Sequence, residues 1–135
     1  MDGSVYGAAV NETDRRPFVI FAAEQHNQSS DATWAAFWQE LKGFKLQLRV
    51  NGTVHGSYSD YPILAKVAGL NTTTIPGIDA LIGSIDGTTV LLILQAYIGD
   101  FFQQILEFRR IPLLQGPSLQ FPEVSFQNAS FGPTA

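Results

Sequence analysis

Two histidines, His26 and His55, are the side chains in this chain best suited to proton transfer near neutral pH. An imidazole beside a carboxylate forms the usual acid/base pair. Glu24 stands two positions before His26 in "AAEQHN", and Asp86 opens a loop at "SIDG". Glu24, His26, His55 and Asp86 are therefore the candidate catalytic set, provided the fold brings them together. Other chemistry finds little support. The chain has no Cys, which removes thiolate nucleophiles, disulfides and Cys–zinc sites at once. Two isolated His and no Asp-rich loop make no metal-ligand set. "GLNTTTIPG" has the glycines of a phosphate loop but lacks its Gly-Lys-Ser/Thr end, and no Gly-x-Ser-x-Gly elbow is present. Neither a metal nor a cofactor is expected. An enzyme built from these residues would work by acid/base chemistry or by shaping its substrate.

The asparagines carry a second signal. All five, Asn11, Asn27, Asn51, Asn71 and Asn128, stand in Asn-x-Ser/Thr with no Pro in the middle. Given the Ser and Thr content, random placement would do this about 4 times in 100,000. The expectation is a secretory-pathway or extracellular glycoprotein, modified at these five positions. "MDGSVYGAAV" has neither a basic nor an apolar signal-peptide region, so a signal would have been removed.

Composition narrows the partners. The 135 residues suit one domain, and 45% are apolar against 15% charged. With a net charge of −4 and no basic stripe, a nucleic-acid partner is not expected. No run approaches the apolar length of a membrane span.

The elements that must position the candidate residues follow from periodicity. Residues 1–16 are polar and read as a loose arm, ahead of a single α+β domain over 17–131. "PFVIFAAE" (17–24) is an apolar run of strand length. "DATWAAFWQELKG" is a helix that Asp31 can cap and Gly43 can end, with Trp34, Phe37, Trp38 and Leu41 on one stripe. "FKLQLRV" (44–50) alternates as a half-buried strand. Asn51-Gly52 is the strongest hairpin dipeptide, so "TVHGSYS" (53–59) reads as the return strand. Short helices at "DYPILAKVAG" and "IPGIDALIGSIDG" precede a fourth strand, "TTVLLILQAYI" (88–98). "DFFQQILEFRRIP" is a helix capped by Asp100, and a tail strand lies around Val124–Phe126, with Pro122 marking an edge.

This order is the split βαββαβ pattern of a ferredoxin-like antiparallel sheet, in the order 4-1-3-2, with an extra C-terminal helix and the tail strand. It gathers Glu24, His26, His55 and Asp86 at one end of the sheet. The direction of His55 depends on the hairpin. A two-residue turn pairs Leu48 with His55 and puts the imidazole on the apolar face. A three-residue loop pairs Leu48 with Val54 and puts it on the polar face, keeping apolar beside apolar. The sheet's second face is apolar and would need cover from the tail, a second copy of the chain, or a ligand. The leading expectation is a domain that binds an apolar small molecule or a protein partner through that face, with a homodimer as one arrangement. Its rivals are a small cofactor-free isomerase, cyclase or dehydratase and an extracellular adhesion module.

Overall fold

The computed structural model describes residues 2–71 and 74–130. Its sheet has three strands in the order β1-β2-β3. β1 (Phe18–Ala22) and β2 (Lys45–Val50) run parallel, with Phe18 opposite Lys45 and Ala22 opposite Arg49. Parallel neighbours need a crossover, and α1 (Ala32–Glu40) supplies it. β3 (Val124–Ser130) joins the other edge of β2 antiparallel, with a register shift between Gln47 and Leu48.

This mixed sheet replaces the expected ferredoxin-like one. The segment 53–59 is not a return strand: both edges of β2 are already taken, by β1 and β3. It forms instead a 3-10 turn at His55–Tyr58. Neither hairpin register applies. Asn51-Gly52 is a turn that ends β2, with Gly52 at φ +76° and the Thr53 hydroxyl donating to the Val50 carbonyl at 2.6 Å.

The second large difference is α4 (Gly87–Glu107), one helix where a strand and a separate helix were expected. A two-sided apolar run has the same composition in a buried strand and a core helix, and only its length separates them. Gly99 and Asp100, expected to break the run, lie inside the helix. Asp86 caps it by accepting from the Thr88 and Thr89 amides. Val90, Ile93, Tyr97 and Phe101 form its buried stripe. The segment Asp79–Glu107 is long and apolar enough to cross a membrane by length and composition alone. The buried stripe nevertheless faces the sheet, and Ile93, Tyr97 and Phe101 join Phe21, Leu46, Leu48 and Val50 in the main core.

The other face of the sheet is covered as well. Ile20, Ala22 and Trp34 form a second cluster with Phe18 and Trp38 beside them. Asp31 caps α1 as expected, accepting from the Thr33 amide. Trp34, Phe37 and Leu41 are buried. Gly43 does not end the helix, which stops at Glu40. A Cβ on Gly43 would lie 2.2 Å from the Arg15 carbonyl, so the backbone there passes too close for any side chain. The polar side of β2 is therefore roofed by α1. Gln47 is 1% exposed and accepts from Gln28 at 2.7 Å, and the Lys45 ammonium donates to the Trp38 and Leu41 carbonyls. Each fully buried aliphatic in these layers is worth about 1.5–3 kcal/mol. Elements of this chain thus pack on both faces of the sheet. Short helices α2 (Tyr61–Val67) and α3 (Asp79–Ile82) lie between the 3-10 turn and α4.

Candidate active site

The C-terminal ends of parallel strands are where open α/β sheets place their ligands. Here the loop after β1 and the turn after β2 leave the sheet side by side. The Glu24 amide donates to the Thr53 carbonyl at 3.2 Å, and the Glu24 carboxylate accepts from the Gly52 amide at 3.1 Å. Glu24 is thus a clip that holds the Asn51-Gly52 turn. The 3-10 turn that follows is equally constrained. Ser57 accepts from the Val54 amide at 2.9 Å and donates to the Ile82 carbonyl at 2.8 Å. A Cβ on Gly56 would meet the Leu81 carbonyl oxygen at 2.1 Å. His55 is launched from this rigid turn.

The partner of His55 is a residue that the sequence reading assigned no role. Asp2, 5% exposed, lies behind the imidazole. His55 Nδ1 contacts the Asp2 backbone carbonyl and stands 3.3 Å from Asp2 Oδ2. The other carboxylate oxygen, Oδ1, accepts from the Ala23 amide at 2.8 Å and faces His26 Nδ1 at 2.8 Å. The His55 side chain is 79% exposed, so Nε2 is left open on the far side of the ring. Carbonyl and carboxylate oxygens only accept, so the Nδ1 proton points at Asp2 and Nε2 faces the cleft. A shallow cleft of about 440 Å³ opens over the pair, walled by Gly3, Gly56, Tyr58, Ser59 and Tyr61. The Tyr58 hydroxyl donates to the Ala22 carbonyl at 2.8 Å, and burial pushes it well above the usual phenol range. Tyr58 therefore stays a neutral wall.

Of the four expected catalytic residues, the fold gathers three, Glu24, His26 and His55, in three different roles. Asp86 is engaged elsewhere. It caps α4 and pairs with the Lys66 ammonium at 2.8 Å, which holds its carboxyl below the ordinary range. A wider cleft of about 540 Å³ between α2 and α3 includes Lys66, Asp79, Ser84 and Asp86. Its Lys66–Asp86 pair is closed on itself. No cluster of metal-binding side chains occurs among the described residues. Of the sequon asparagines, Asn11, Asn71 and Asn128 are exposed, and Asn27 and Asn51 are half-buried in the turns beside the site. Asn128 lies within β3 rather than in a loop. Thr72 and Thr73 of the Asn71 sequon lie outside the described residues.

A buried carboxylate thus lies behind an exposed imidazole, near the C-terminal ends of two parallel strands. No family model matches the chain. Over 93% of its length it is 30% identical to the probable 1-alkyl-2-acetylglycerophosphocholine esterase of Arthroderma benhamiae, of which it covers 35%. In structure, 94% of the chain matches 38% of the ferulic acid esterase from Streptomyces cinnamoneus, with a TM-score of 0.74 and 24% identity. The chain therefore spans about a third of the length of either protein.

The fold matches that of part of the ferulic acid esterase, and with its parallel β1–β2 pair it overturns the ferredoxin-like assignment. The functional expectations change with it. Both similar proteins are esterases, and the likeness points away from an apolar-ligand carrier, an isomerase, cyclase or dehydratase, and an adhesion module. Asp2 left no local trace in the sequence, because its partners are 21 and 53 positions away.

Proposed function

We propose that this chain is the acid/base part of a carboxylic-ester hydrolase. The observation that carries the proposal is the Asp2–His55 pair, with Asp2 buried and His55 Nε2 open to the cleft. The nucleophile is a serine supplied from outside these 135 residues, since no elbow motif occurs within them. In hydrolases of this fold the order along the chain is Ser, then the acid, then His, and Asp2 precedes His55 accordingly. His55 Nε2 takes the proton of that serine as its oxygen attacks the ester carbonyl. It then gives the proton to the departing alcohol, and repeats both transfers with water to release the acid. Asp2 holds the ring and stabilises the imidazolium that forms between the two transfers.

The test is hydrolysis of p-nitrophenyl acetate by the protein expressed from its own gene. His55→Ala lowers kcat by at least about 10³-fold if His55 is the base. Undiminished turnover by a folded His55→Ala protein refutes the reading.

The five sequons support a further proposal, that the protein passes through the secretory pathway and carries N-glycans. Expression in a eukaryotic cell followed by N-glycanase treatment tests it, and an unchanged gel mobility counts against it.

A further inference from the structure

His26 takes no part in the proton transfers described above, yet it is built into the site with more contacts than His55. Its ring stacks on the buried Trp34, with centroids 4.0 Å apart and planes at 22°. Nδ1 faces Asp2 Oδ1 at 2.8 Å and Nε2 faces Asp31 Oδ2 at 3.1 Å. Asp31 is itself held by the hydroxyls of Ser4 at 2.7 Å and Thr33 at 2.6 Å. Trp34 Nε1 donates to the Gly3 carbonyl at 2.8 Å, and the Val5 amide donates to Thr33 at 3.1 Å. The first turn of α1 thus grips the backbone just after Asp2, at Gly3 and Val5, and the ring that touches its carboxylate.

We propose that His26 is a positioning residue that, braced by Asp31 and Trp34, fixes Asp2 Oδ1 so that Oδ2 points at His55. The reason is geometric. With the Ala23 amide alone on Oδ1, the carboxylate can turn about its Cβ–Cγ bond and swing Oδ2 off the imidazole. A second donor on Oδ1 from a different direction stops that rotation. This inference rests on the esterase reading of the Asp2–His55 pair.

A displacement of about 1 Å in a catalytic constellation costs about 10²-fold in rate. His26→Phe keeps a ring against Trp34 and loses both nitrogens. It is expected to lower kcat about 10- to 100-fold with KM unchanged. His26→Gln, whose amide can still donate to Asp2, regains part of that loss. The second readout is the downfield proton resonance of His55 Nδ1–H, which should shift or broaden in His26→Phe and less so in His26→Gln. Should the Phe variant fail to fold, His26→Leu, which likewise has no donor, takes its place in both readouts. Wild-type kcat and an unmoved resonance in the folded donor-free variant overturn the proposal. His55→Ala in the same assay separates the two levels. If it abolishes turnover while His26→Phe does nothing, only the positioning role falls. If His55→Ala is harmless, the esterase reading falls with it.

Discussion

Asp2→Asn is the most informative single substitution. It preserves shape and removes one charge. The retained amide oxygen will face the Ala23 amide and His26, both of which point at Oδ1 in the wild type. That leaves the new NH₂ group facing His55 Nδ1, donor against donor, where an anion stood 3.3 Å away. At that distance an effective dielectric of about 20 makes the carboxylate–imidazolium attraction about 5 kcal/mol. Solvent at the exposed ring screens part of it. The Asp2 backbone carbonyl, which also contacts Nδ1, survives the substitution and keeps part of the tautomer preference. The loss expected in kcat is therefore about 10³-fold, roughly a decade short of what a fully buried triad loses on the same change. Hydrolysis of p-nitrophenyl acetate by the gene's own product measures it, with circular dichroism confirming the fold. A folded Asp2→Asn protein within about tenfold of wild type would refute the acid role of Asp2.

Three further outcomes follow from the surroundings of the site. Gly56→Ala forces a Cβ to within 2.1 Å of the Leu81 carbonyl, so the turn carrying His55 must shift. Urea unfolding should show a loss of about 2 kcal/mol or more together with reduced activity. Tyr97 is fully buried, and its hydroxyl has no hydrogen-bond partner among the described residues. Tyr97→Phe should therefore be neutral or stabilising by about 1 kcal/mol in thermal unfolding, and a clear loss would mean that the hydroxyl has a partner. The Thr33 and Ser4 hydroxyls hold the Asp31 carboxyl well below the usual carboxylate range in the folded state. That stability is complete above the unfolded-state value of about 3.9 and is lost as pH falls through the lower folded value. Asp31→Asn should flatten the urea midpoint below about pH 4, and an unchanged acid slope would contradict the assignment.

The legible parts of the fold were those where one local pattern has one outcome. The β1 run, the α1 stripe of Trp34, Phe37 and Leu41, and the strand at β2 all appear in the structure, although β2 is covered on both faces rather than half-buried. The misread parts each had two locally equal solutions. "TTVLLILQAYI" is apolar on both sides whether strand or helix, and its fate depended on Asp86 capping it and on the sheet face that its stripe could cover. "VNGTVHG" is a good hairpin in isolation. It became a turn because β3, drawn from 74 positions downstream of Val50, occupies the edge that a return strand would need. The convergence of Glu24, His26 and His55 survived the wrong topology for a physical reason. In either arrangement the loop after the first strand lies beside the residues that follow the second.

From the sequence alone came the absence of thiol chemistry, the lack of a nucleophile elbow, the two imidazoles as acid/base candidates, and the five Asn-x-Ser/Thr motifs. These depend on residue identity and short spacing, which the chain carries without folding. Tertiary structure decided which carboxylate serves which histidine. Asp2 was chosen over Glu24 and Asp86 because the first turn of α1 pulls the N-terminal segment in under the strand ends. It also decided that His55 faces the cleft while His26 is braced behind it. Contacts across tens of residues are set by how elements pack, and no window along the chain contains that information.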